Sequence, residues 1–164
     1  MFYLCMFSVI ALVVLGVTVG IWSILLNKDG TGYLKRAADS NTVELAQQEM
    51  NRALTYIESN NLTTGYTSII YNTPSEDIEF WYINLTSAKV VLDEIIANKN
   101  ATPLEKSNVL MKLRETLLDH SGSRESLTIP RGLARYPHNG LISVLTVMLM
   151  FVFMTTGGWR ALKS

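Results

Sequence analysis

One cysteine, two histidines and four prolines in 164 residues leave little material for several kinds of chemistry. With Cys5 alone, no intrachain disulfide and no cysteine-based metal site can be built. Cys5 itself sits in apolar sequence and reads as a buried thiol. His120 and His138 fall in loop-like sequence, each without a second ligand at metal spacing. No nucleophile-elbow frame surrounds Ser121 or Ser123, and no glycine-rich phosphate loop is present. Glu76, Asp77 and Glu79 cluster at a helix start, where the helix dipole favours acids without any bound cation. Asp93 and Glu94 lack the Glu-x-x-His companion that a di-iron bundle site needs. No enzyme activity, metal or cofactor is therefore expected.

A surplus of positive charge is missing too. The 14 Lys/Arg and 14 Asp/Glu cancel. Arg160 and Lys163 lie near the C-terminus, so 12 basic residues face all 14 acidic ones in the middle of the chain. A slightly acidic domain has no basic footprint for a nucleic acid, and that partner is excluded.

Charge is wholly absent from residues 2–26, which contain no Asp, Glu, Lys, Arg or His. Twenty-five helical residues span about 37 Å, enough for a hydrocarbon core of about 30 Å. The run exceeds the apolar region of a signal peptide, no basic segment precedes it, and no small-residue cleavage site follows. It reads as an uncleaved anchor, with Tyr3 and Trp22 at interfacial positions. Gly16 and Gly20 form a G-x-x-x-G pair, a candidate contact for another membrane helix because small residues let two backbones approach. Residues 141–158 are a second apolar run, ending in Gly157, Gly158, Trp159 and Arg160. Neither run carries an ionisable group of the kind a proton relay or ion path uses.

Between the runs the pattern is helical. Residues 27–32 hold Gly30 and Gly32 and should stop or hinge the first helix. A helix is expected from Tyr33 or Asn41 to Ser59, with Asn41 as the cap. Val43, Ala46, Met50, Ala53, Leu54 and Ile57 lie on its inner face, while Glu44, Gln48, Glu49 and Arg52 lie on the wetter side. Ile69, Ile70 and Tyr71 are expected to fold back onto the core. Thr73-Pro74-Ser75-Glu76 and Thr102-Pro103-Leu104-Glu105 repeat one helix-start grammar: a hydroxyl cap, proline at the first position, and glutamate for a capping box.

The helix after Pro74 keeps a three-four beat through Ile78, Trp81, Leu85, Ala88, Leu92 and Ile95, a seam for neighbouring helices, widened by Phe80, Val91 and Ile96. Phe80, Trp81 and Tyr82 point three ways and cannot share one core. Trp81 belongs to the seam, and Phe80 and Tyr82 are candidates for either the 66–73 connection or a partner protein. The last helix places Leu110, Leu113 and Leu117 together. Pro130 and Pro137 then punctuate a linker in which Leu127, Thr128 and Ile129 are expected to form a short strand or extended segment.

The expected architecture is an all-α membrane protein, two transmembrane helices flanking a small antiparallel three-helix extramembrane bundle. Its parts are a first membrane helix over 1–26, the bundle over 27–119, a Gly/Ser/Pro linker over 120–139, a second membrane helix over 140–159 and a tail over 160–164. Long loops translocate largely regardless of charge. Both termini are accordingly expected in the cytoplasm, with the bundle on the periplasmic or lumenal side of a plasma or bacterial inner membrane. The N-x-T triplets at Asn61, Asn84 and Asn100 are formal glycosylation acceptors that do not establish a secretory origin. The expected role is an accessory, scaffold or assembly subunit, whose partners are membrane lipid and either another protein or a second copy. The alternative is a ligand-sensing module that passes its signal to a partner chain.

Overall fold

The computed structural model describes residues 2–68, 72–119, 125–133 and 139–161. It is mostly helical: α1 (Phe2–Leu25), a π turn (Leu26–Thr31), α2 (Gly32–Ala38), α3 (Val43–Ser59), a 3-10 turn (Pro74–Glu76), α4 (Ile78–Ala97), α5 (Pro103–Leu117), strands β1 (Leu118–Asp119) and β2 (Ser126–Leu127), and α6 (Asn139–Ala161). The fold-back expected of Ile69, Ile70 and Tyr71, and the positions of His120 and His138, lie outside the described residues.

The first helix does not stop at residues 27–32. Met6–Ala38 is one continuous helix of 33 residues, long and apolar enough to cross a membrane. At 1.5 Å per residue it measures about 50 Å, so its upper part must lie beyond any hydrocarbon core. Continuity is kept by widening the backbone. The Gly32 N–H donates to the Asn27 carbonyl five residues back, and the Thr31 hydroxyl donates to Leu26 O at 3.4 Å and Asn27 Oδ1 at 3.2 Å. A Cβ on Gly32 would meet Asn27 O at 2.5 Å. The glycine that weakens an ordinary helix is here what allows the π turn.

Beyond the turn, α2 buries Leu34, Ala37 and Ala38. The chain breaks at 39–42 and restarts with Thr42, rather than Asn41, as cap: its hydroxyl accepts from Leu45 N at 3.3 Å. The inner face expected for α3 is buried in full, from Val43 to Ile57. Thr73 does not cap α4. Its hydroxyl donates to Glu76 Oε2 at 2.6 Å within the 3-10 turn, and Asp77 caps the helix by accepting from Phe80 N at 2.9 Å. At α5 the full capping box forms between Thr102 and Glu105, as expected.

In α4, Ile78, Trp81, Leu85 and Leu92 are buried, and Ala88 and Ile95 are half-buried against the same core. Phe80 departs from the expected stripe. It lies on the far side of the helix, 62% exposed. From α5 come Leu113 and Leu117, with Val109 and Leu110 at the margin.

Counting α2, four helices form the bundle, with α2 packed on α3 and α5, and α4 on α3 and α5. The count matters for where the chain ends up. The C-terminal part of α3 returns to the start of α2, where Tyr56 meets Gly30; α4 leaves from that end and α5 comes back to it. Leu118 and Leu127 pair in a two-stranded antiparallel ladder. Thr128 N donates to Leu117 O at 2.8 Å, and Trp81 Nε1 donates to Thr128 O at 2.9 Å. Arg131 N reaches Ser75 O at 2.9 Å, while the Thr67 hydroxyl donates to Arg131 O. Residues 125–133 thus run across the end of the bundle from which α1 departs, as an extended segment with a short strand. Four helices bring the chain back to the end from which α1 departs, where three would have left it at the far end. From that end α6 runs alongside α1, with an apolar stretch at Val144–Thr155.

Candidate functional site

The buried side of α1 carries Ser8, Leu12, Leu15 and Val19, with Ser8 1% exposed. Gly16 and Gly20 are on the exposed side: a Cβ built on either meets nothing within 4 Å. The packing between α1 and α6 therefore leaves the G-x-x-x-G pair open.

Tyr82 and Phe80 are separated by the structure. Tyr82, half-buried, donates its hydroxyl to Glu58 Oε1 at 2.8 Å and so joins α4 to α3. Bonding to Glu58 first, then burial, raises the phenol above its ordinary range. Phe80 makes no such commitment. With Ile83 (51% exposed) and Val90 (53%) it forms an apolar stripe on the outer face of α4, and Ser87 fills the intervening step of the three-four spacing. The helix thus carries two seams, one buried and one bare. Beside the bare one, a cleft of about 210 Å³ opens between α4 and α5, lined by Ala88, Val91, Val109 and Leu113, with Asn84 and Lys112 at its polar edge.

The junction between α1 and the bundle holds a second constellation. Its centre is Glu49, expected on the wetter side of α3 yet 1% exposed. The reason is α2, which covers that flank. Arg36 Nη2 donates to Glu49 Oε1 at 2.8 Å, and Arg52 Nη1 reaches the same oxygen at 3.3 Å. Both guanidiniums lie against the Tyr33 ring, 5.7 Å and 5.6 Å from its centroid, within range of a cation–π attraction. Oε2 of Glu49 is buried without a hydrogen-bond partner among the described residues.

About two turns further along α3 from Glu49, Tyr56 meets Trp22, with ring centroids 6.4 Å apart. Burial, with a smaller push from Asp29, raises the Tyr56 phenol above its ordinary range. Asp29, Tyr33, Asn51, Arg52, Thr55 and Tyr56 border one open groove here, about 820 Å³. It juxtaposes a carboxylate from the π turn with a guanidinium from α3. Sequence reasoning missed this site because its members come from two helices whose contact depends on the π turn. The aromatic-basic grouping Tyr33, Lys35, Arg36 was its one visible signal.

Among the described residues, no group of three or more His, Cys, Asp or Glu side chains is placed to hold a metal ion. The structure thus presents two surface features, an exposed apolar stripe on α4 and a mixed-charge groove at the junction. No protein-family model, curated protein or solved structure matches this chain.

Proposed function

We propose that this chain is a non-enzymatic, two-pass membrane protein that acts as an accessory, scaffold or assembly subunit, holding a partner protein at the membrane. The observation that carries the reading is the bare stripe of Phe80, Ile83 and Val90 on α4. Its spacing matches a helical partner, and three large apolar side chains on one face are the kind of surface that protein contacts cover. Gly16 and Gly20, open on α1, supply a matching contact within the bilayer. Two spans are supported by the packing of α6 along α1 and by the return of the chain to the end of the bundle nearest α1. In this reading both termini are cytoplasmic and the bundle lies on the outer side.

The test is the mass of the complex after gentle solubilisation from native membranes, with the companion chains identified. A stoichiometric foreign chain is expected, lost when Phe80 and Ile83 become serine. A monomer free of companions would sink the subunit reading.

The cleft between α4 and α5 favours a second reading, an outward-facing ligand-sensing module that signals through another chain. Thermal stability that rises with a small apolar ligand and is insensitive to Phe80→Ser would favour it over the first.

A further inference from the structure

The groove at the junction has a chemistry and a depth that together specify an occupant. If Met6–Ala38 spans a bilayer, its apolar part fills the hydrocarbon core and ends near Leu26. The polar headgroup layer adds about 5–8 Å on each side, which is one turn or slightly more of helix. The π turn, Leu26–Thr31, therefore lies at headgroup depth. Tyr56 is held at the same level by its contact with Gly30, and Trp22 marks the boundary just beneath.

Two opposite charges border the groove from different helices: Asp29 in the π turn, within this layer, and Arg52, one turn further out along α3 than Tyr56. Arg52, its side chain 45% exposed, uses Nη1 on Glu49 and rests on the Tyr33 ring. The rest of its planar fork suits a phosphate oxygen. Asp29, its side chain 36% exposed, has Lys28 at 3.9 Å, too long for a strong hydrogen-bonded pair. It offers a carboxylate to a second cation. Asn51 and Thr55 add neutral polar groups between them. A purely anionic headgroup would meet the Asp29 carboxylate, and a quaternary ammonium has no N–H to donate to it. A headgroup with one phosphodiester and one primary ammonium satisfies both ends.

We propose that the groove between the π turn and α3 binds the phosphoethanolamine headgroup of a bilayer lipid, its phosphate on Arg52 and its ammonium on Asp29. The proposal rests on the membrane reading above and adds to it a lipid preference and the residues responsible. The lipid would brace the junction where a membrane helix becomes a bundle helix.

The experiment uses the full chain in mild detergent with equimolar phosphatidylethanolamine, phosphatidylglycerol and phosphatidylcholine, and native mass spectrometry to count retained lipid. Phosphatidylethanolamine is expected to dominate. Arg52→Gln should lower its occupancy about tenfold, the loss of one charge-assisted contact, and Arg52→Lys should restore part of it. Asp29→Asn should erase the preference over phosphatidylcholine. Equal retention of the three lipids by the unaltered chain, or unaltered selectivity in both variants, would overturn the site. Should Arg52→Gln lose its helical circular dichroism, Asp29→Asn decides, since that side chain is partly exposed and its removal leaves the core intact. An alkaline wash of native membranes separates the two levels. A chain that stays with the membrane but shows no lipid preference defeats the headgroup site alone, whereas a chain washed into solution defeats both.

Discussion

Tyr56 on α3 lies against Gly30 so closely that a Cβ on the glycine would come within 3.0 Å of Tyr56 Cδ1. Two residues along, the obstacle to a side chain on Gly32 is backbone, the Asn27 carbonyl at 2.5 Å. In an ordinary helix, replacing glycine by alanine stabilises by about 1 kcal/mol. At Gly32 the sign should invert: Gly32→Ala is expected to cost about 1–3 kcal/mol because the π turn must distort. Gly30→Ala should be milder, since a ring can shift where a carbonyl cannot. Gly20→Ala, in open space, should be neutral or stabilising. Thermal unfolding followed by circular dichroism checks the order, and a Gly32→Ala chain as stable as the parent would mean that the turn is not held as described.

The buried carboxylate of Glu49 joins α2 to α3 through Arg36 and supports Arg52. Removing it leaves two guanidiniums without their acceptor, but both are about half exposed and water replaces part of the loss. Glu49→Ala is expected to destabilise by about 1–3 kcal/mol. The effect of Arg36→Ala should largely vanish in that background, which a double-mutant cycle reads directly. Full additivity would show that the pair contributes no coupling.

Two helix starts that look alike in sequence should respond differently. Thr102→Ala removes a working capping box and is expected to cost about 1 kcal/mol. Thr73→Ala, outside any cap, should cost less than Asp77→Ala, which removes the acceptor for Phe80 N. Comparing the three melting temperatures tests this, and a Thr73 effect exceeding that of Asp77 would contradict the observed start of α4.

Asp93 is bonded by Gln47 across the α3–α4 interface and by Lys89 along α4, both at 2.5 Å. The Gln47 bond first, then Lys89, holds its carboxyl below the ordinary range. A carboxyl lowered in the folded state adds stability above its unfolded value and loses it as the pH falls through the folded one. Asp93→Asn should therefore flatten the acid limb of the stability–pH profile and leave the slope near neutrality unchanged. Measured profiles that superimpose over the acid limb would count against the pairing.

A charge introduced at Phe80 should separate folding from association. Phe80→Asp lies on an exposed face and is expected to change stability by less than about 0.5 kcal/mol, yet to release the proposed partner. Gly16→Leu should likewise leave the α1–α6 packing alone and weaken contact only with another membrane helix. Co-purification at unchanged melting temperature is the measurement.

Periodicity and caps made much of this fold legible from residues alone. The apolar positions of α3, the inner seam of α4 and the capping box of α5 follow from helical spacing and local hydrogen-bond grammar, which operate within a few residues. The long uncharged stretch marked a helix able to cross a membrane for the same reason, since length and composition suffice. What lay beyond local rules was decided by packing. Gly30 and Gly32 signalled a break, yet the contact with Tyr56 and the five-back hydrogen bond turn them into a continuous π turn. Glu49 belonged with the polar residues until α2, carried into place by that turn, covered it. Phe80 and Tyr82, adjacent in kind, were divided by one hydrogen bond to Glu58. The groove of Asp29 and Arg52 exists because residues 23 apart are brought to one border. A chain's own spacing determines which face each helix buries, while only the meeting of helices determines which polar groups are enclosed and which are offered outward.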